Sequence, residues 1–101
     1  GKEDMQIEAR EVEVGVSGAA KFELAGNAEE AEYSISGAGD IRAFDLVAER
    51  VEVSISGAGN AQVHATQRLD AQISGAGKVV YDGNPSEGNR KVFGAGAITK
   101  R

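Results

Sequence analysis

The chain is poor in the residues that usually carry chemistry or large cores. It has no cysteine or tryptophan, a single proline, and only 5% aromatic residues in 101. Without cysteine, disulfide bonds, thiolate zinc sites and cysteine nucleophiles are excluded. No apolar run approaches the roughly 20 residues of a membrane-spanning helix. A formal charge of -5 without a basic stripe disfavours nucleic acid and anionic membranes as partners. The length predicts one domain over residues 1–101.

Glycine is abundant, with 14 residues, and it recurs in a repeated tetrapeptide. Ser-Gly-Ala-Gly or a close variant occurs at residues 36–39, 56–59, 74–77 and 93–96, with a weaker copy at 17–20. The steps between copies are 19, 20, 18 and 19 residues. A fixed period near 20 residues is typical of a stacked repeat architecture, in which each repeat packs on its neighbours.

Apolar and polar residues alternate strictly between the glycine motifs. Val51, Val53 and Ile55 alternate with Glu52 and Ser54, and the other repeats show the same period of two. This period predicts β-strands with one buried face. An antiparallel meander or barrel would also explain the alternation, but not an identical glycine motif in every repeat. We therefore predict an all-β fold: a parallel β-solenoid (β-helix) of about five coils.

The alternation continues through the glycines, so both glycines of each motif are expected to face the core. The sequence thus predicts glycine corners, where the wall bends and leaves no room for a Cβ. Stacking predicts an inner column of β-branched residues, an outer serine column broken by Phe93, and a mixed outer column just after the corner. Their members are, in turn, Val16, Ile35, Ile55, Ile73 and Val92; Ser17, Ser36, Ser56 and Ser74; and Asp40, Asn60 and Lys78.

The recurring Gly-Ala-Gly and the closing Val-Val-Tyr-Asp-Gly-Asn-Pro at residues 79–85 resemble the head GIN domain family. Its members are described as auto-transporter adhesins of bacterial surfaces and form a domain of unknown function. The resemblance covers roughly residues 12–100. It implies a right-handed parallel β-helix in an extracytoplasmic setting, with a precursor signal that this chain does not contain. It brings no established catalytic residues. The chain is about half a typical member, so it is either a fragment or completed by another copy.

Several chemistries can be weighed against a purely structural role. The glycine motifs lack the third glycine and the Gly-Lys-Ser/Thr of phosphate loops. Only Asp40 follows a motif as an acid, and Lys78 occupies the equivalent place, which disfavours a calcium ladder. Stacking is expected to bring no more than two acids into one column without a lysine or glutamine between them. His64, the single histidine, is expected at the surface. We therefore predict no catalytic, cofactor-binding or metal-binding residues.

The remaining expectations concern partners. Stacked coils leave unpaired strands at both ends, which predicts a homo-oligomer formed through the open coil ends. Phe93 is expected to be an exposed apolar spot on the last coil. The predicted function is a non-enzymatic cell-surface or periplasmic module for adhesion or assembly, with a surface glycan or a protein as ligand. The alternative is a carbohydrate-binding or polysaccharide-processing β-helix.

Overall fold

The computed structural model describes the backbone of residues 2–100 and the side chains of residue 8 and residues 10–100. It contains four long strands followed by three short ones: β1 (Lys2–Gly18), β2 (Lys21–Gly37), β3 (Asp40–Gly57), β4 (Asn60–Gly75), β5 (Lys78–Asp82), β6 (Arg90–Gly94) and β7 (Ala97–Lys100). None of the described residues forms a helix with the length and apolarity needed to cross a bilayer.

All pairings between these strands are parallel. β1 pairs with β2, β2 with β3 and β3 with β4, and the two halves of β4 then pair with β5 and with β6. β7 pairs with β5 and begins a further coil. A straight 17-residue strand would be about 56 Å long, yet the longest dimension of the chain is 32 Å. Each long strand therefore bends around the axis. The fold is all-β, a parallel β-solenoid of about five coils, and the antiparallel meander or barrel is excluded.

The pairing register confirms the predicted columns. Val16, Ile35, Ile55, Ile73 and Val92 are successive partners, as are the four serines and Phe93. Asp40, Asn60 and Lys78 also stack. The unequal steps are absorbed as register shifts, between Glu23 and Ala25 and between Ala43 and Arg50. In the described part of the chain the buried non-glycine residues are all hydrophobic.

The strands break at every glycine motif, and the two glycines of a motif differ. The first (Gly18, Gly37, Gly57, Gly75 or Gly94) is exposed and has a positive φ, between 92° and 119°. The second is buried in three motifs, at Gly39, Gly59 and Gly77. The expectation that both glycines face the core is thus wrong for the first one, because its backbone turns in the left-handed region instead of continuing the alternation.

Hydrogen bonds between coils continue through these breaks. The amide of Ala58 donates to the carbonyl of Gly37, and the amide of Ala76 donates to that of Gly57, both at 3.0 Å. A Cβ added at Gly57 would lie 2.6 Å from the carbonyl oxygen of Gly37. The backbones of successive coils are therefore in direct contact at each motif, and a side chain there would separate them.

Candidate binding face

The second half of each long strand carries two exposed polar columns. We call Glu13, Glu32, Glu52 and Asp70 the carboxylate column; they are successive partners in the parallel register. The serine column is Ser17, Ser36, Ser56 and Ser74, four residues further along each strand. Ser34 and Ser54 lie between them. Together these residues form the polar face. All are exposed except Asp70, which is half-buried.

The carboxylate column contradicts the expectation that no more than two acids would share a column. Four acids follow one another on adjacent rungs with no lysine or glutamine among them. Parallel strands are about 4.8 Å apart, and like charges directly opposite one another are destabilising. The signal was available in the sequence, since each acid precedes the serine of its motif by four residues. We infer that the packing and hydrogen bonding between coils outweigh this repulsion.

Arginines beside the column offset part of its charge. The neighbouring outward column is Glu11, Glu30, Arg50 and Arg68. Arg68 Nε lies 2.7 Å from Asp70 Oδ2, and Arg50 Nη2 lies 2.8 Å from Glu30 Oε1. The hydrogen bond from Arg68 lowers the pKa of the Asp70 carboxyl, opposed by desolvation. Within the described residues, Glu13, Glu32 and Glu52 have no such ion pair, so they form the most negative part of the face.

The loop between β5 and β6 attaches to the end of the same column. The backbone amide of Asn89 donates to Asp70 Oδ1 at 3.0 Å, and the amide of Leu69 donates to the carbonyl of Glu87 at 3.0 Å. The loop follows Asp82, the last residue of β5, whose Oδ1 accepts a hydrogen bond from the amide of Gly83 at 2.8 Å. These bonds hold the loop against the fourth coil, so it continues the face rather than projecting from it.

The other residues considered from the sequence lie outside the polar face. Asp40 and Asn60 lie on the first half of their strands, where Asn60 Nδ2 donates to Asp40 Oδ1 at 3.0 Å. His64 is half-buried rather than fully at the surface, with Nδ1 4.0 Å from Asp82 Oδ2. Phe93 is 57% exposed, as expected. Across the described residues, no three His, Cys, Asp or Glu side chains are placed to hold a metal ion.

Comparison with known proteins bears on the family and the fold of the chain. The family model described as "Putative auto-transporter adhesin, head GIN domain" matches residues 1–85. The chain belongs to the head GIN domain family. The match starts at residue 1, whereas the resemblance described above covers roughly residues 12–100. It ends at Pro85, before β6. No curated protein sequence is similar enough to match the chain.

Solved structures show the same fold over nearly the whole chain. A "putative adhesin" from Parabacteroides merdae is 36% identical with a TM-score of 0.89, covering 97% of this chain and 42% of its own. A "putative lipid binding protein" from Parabacteroides distasonis is 29% identical with a TM-score of 0.91, covering 99% and 44%. A "putative adhesin" from Bacteroides fragilis is 28% identical with a TM-score of 0.87, covering 99% and 52%. This head GIN chain therefore spans about half the length of these structures.

Proposed function

We propose that this chain is a non-enzymatic adhesion module of the cell surface or periplasm, which binds a surface glycan or a protein through its polar face. One observation carries the proposal: the polar face repeats the same exposed groups on successive rungs of a rigid sheet. Many weak, evenly spaced polar contacts are suited to a repetitive ligand. The family description, which refers to adhesins, supports both the role and an extracytoplasmic location.

A lipid ligand is less well supported by the surface. The exposed large hydrophobic residues of the described part are Val47, Val92 and Phe93. Val47 lies in β3 and the other two in β6, and these strands do not pair. Lipid binding normally uses a continuous apolar surface or cavity. The polar face is therefore the surface that we propose for ligand binding.

Three finer features belong to the same proposal. The coils are right-handed, as nearly all parallel β-crossover connections are. The glycine motifs are the corners of the coil, which is supported by the strand breaks and positive φ values at each motif. The module also self-associates through its coil ends, because the edges of β1, β6 and β7 pair with no further strand of the described chain.

The binding proposal is tested with the purified chain on an array of bacterial and host glycans and on a panel of matrix proteins. We expect saturable binding that falls at least about tenfold in the double variant Ser36→Ala/Ser56→Ala, because serine hydroxyls on two adjacent rungs are lost. Gln62→Ala, on the first half of β4, is the matched control and should bind normally. Binding that is equal in all three proteins would refute the role of the face. Turnover of a uronic-acid polymer would refute the non-enzymatic role.

A further inference from the structure

A groove outside the polar face crosses the first halves of β3 and β4 and the short strand β5. It has a volume of about 260 Å³, and its floor is the backbone at the buried residues Ile41 and Ala61. All three strands are paired on both edges here, so no free strand edge lies in the groove. Two columns of side chains form its walls, and we call them the amide groove: Asp40, Asn60 and Lys78 on one side, and Arg42, Gln62 and Val80 on the other.

Asn60 and Gln62 bring two side-chain amides to the middle strand of this groove. Asn60 Nδ2 donates to Asp40 Oδ1 at 3.0 Å, which uses one of its two N–H bonds and leaves Asn60 Oδ1 as an acceptor. Gln62 is half-buried, and its amide has no hydrogen bond to any other described residue. Donors and acceptors therefore alternate along the groove. Such alternation suits the hydroxyl groups of a sugar, since each of them both donates and accepts.

Two exposed cations lie at diagonally opposite corners of the groove, Arg42 on β3 and Lys78 on β5. Lys78 forms no ion pair with any other described residue. Arg42 Nη1 lies 3.8 Å from Glu23 Oε1, which is too long for a hydrogen bond, so this pair leaves the guanidinium donors available. Asp40 is the single acid of the groove. The groove is thus net positive in a protein whose formal charge is -5.

We infer that the amide groove binds an acidic sugar. Its carboxylate would lie between Arg42 and Lys78, and its hydroxyl groups would bond to Asn60, Gln62 and Asp40. Charge-assisted bonds from arginine to a carboxylate are among the strongest that a protein surface offers. The carboxylate column of the polar face would repel the same ligand. The inference therefore does not depend on the binding proposed for that face, and it adds a second site with a different ligand.

An acidic peptide fits this groove less well than a sugar does. Extended peptides are commonly recognised by pairing with free backbone groups at a sheet edge. Here the amides of Asn60 and Lys78 donate to the carbonyls of Gly39 and Gly59, both at 3.0 Å. The backbone of the groove is therefore committed to the sheet. Recognition must come from side chains, which favours a ligand covered with hydroxyl groups.

The test uses trigalacturonate as the probe, and its methyl ester as the matched ligand without the negative charge. Binding to the purified chain is followed by nuclear magnetic resonance of the backbone amides. We expect saturable shifts at the amide groove, with the methyl ester at least about fivefold weaker. Affinity for trigalacturonate should fall as salt is raised from about 0.02 to 0.5 M, because the cations are exposed.

Substitutions of the two cations test their role. Arg42→Gln and Lys78→Gln are each expected to weaken trigalacturonate binding about five- to tenfold, whereas Lys78→Arg should retain it. Both residues are exposed, so the variants should remain folded. The matched control is Lys91→Gln, which removes the same charge from the column of Ser34 and Ser54 on the polar face and should bind normally.

Several outcomes would overturn the inference. They are the absence of saturable shifts, equal affinity for the methyl ester, an equal loss in Lys91→Gln, or acetate that binds as tightly as trigalacturonate, since the hydroxyl groups would then contribute nothing. The double variant Ser36→Ala/Ser56→Ala should bind trigalacturonate normally, and a loss there would move the acidic sugar to the polar face. Gln62→Ala should weaken trigalacturonate alone, so it remains a control for ligands of the polar face.

Discussion

Gly77 lies against Ile55 of the preceding coil, and a Cβ on Gly77 would be 2.6 Å from Ile55 Cγ2 and 3.0 Å from the carbonyl oxygen of Gly59. Ile55 is itself buried in the inner column and cannot move away freely. We expect Gly77→Ala to lower the free energy of unfolding by about 2 kcal/mol through overpacking. Gly15→Ala, where nothing lies within 4 Å, should change it by less than about 1 kcal/mol. Urea unfolding of both variants measures the difference, and equal midpoints would contradict the close packing.

The first glycine of each motif allows backbone strain to be separated from contact between coils. Gly18 and Gly57 both have positive φ, at 92° and 119°, but only Gly57 has a carbonyl of the preceding coil within 3 Å of an added Cβ. Gly18→Ala should cost about 1–2 kcal/mol of stability from strain alone. Gly57→Ala should cost more than about 3 kcal/mol, because the coils must also separate. Thermal unfolding followed by circular dichroism tests this order, and a larger loss in Gly18→Ala would contradict it.

Relief of repulsion in the carboxylate column should stabilise the protein. Glu32 lies between Glu13 and Glu52 on adjacent rungs. Glu32→Gln is expected to raise the free energy of unfolding by about 0.5–1 kcal/mol at low salt, and the gain should shrink as salt screens the column. Glu30→Gln removes the same charge but breaks the ion pair with Arg50 at 2.8 Å, so it should give no gain. Stabilisation by Glu30→Gln and not by Glu32→Gln would contradict the expectation that Glu32 is repelled by its neighbours and that Glu30 is held by Arg50.

The burial of Tyr33 leads us to expect that the folded protein loses stability in alkaline solution. Burial raises the pKa of its hydroxyl above the ordinary 10.0. The unfolded chain therefore releases this proton at a lower pH than the folded chain does. Stability is fully present below pH 10 and falls as the pH rises above that value. Absorbance at 295 nm should show Tyr33 ionising only together with unfolding, and Tyr33→Phe should flatten the alkaline limb. A phenolate signal from Tyr33 in the folded protein would contradict its burial.

The repeat period and the alternation were sufficient to predict the parallel stack and its inner column. Val16, Ile35, Ile55 and Ile73 share one offset from the glycine motif, and their register follows from that offset alone. The different roles of the two glycines could not be predicted in this way. Alternation describes where a side chain would point, whereas Gly57 turns through a positive φ that side-chain periodicity does not encode.

The charged features were missed for a different reason. The carboxylate column follows from applying the same kind of offset to polar residues, at four positions before each serine. The expectation of no more than two acids in one column overlooked this offset for Glu13 and Glu32. Stacked acids repel one another. Exposure to water reduces that repulsion enough for the sheet to tolerate it. The guanidinium carbon of Arg90 lies 4.9 Å from the centre of the Tyr81 ring. This contact depends on side-chain conformation, which the sequence pattern does not specify.

Hydrogen bonds and packing in this molecule run almost wholly between one coil and the next. Duplicating or deleting a whole repeat would therefore change the height of the molecule by about one 4.8 Å rung without altering the cross-section. A gene could lengthen or shorten such a stack in discrete increments, and each added rung would extend the polar face by one set of side chains. Partial repeats would instead shift every later residue out of phase, so natural variants of this module should differ in length by whole multiples of its period.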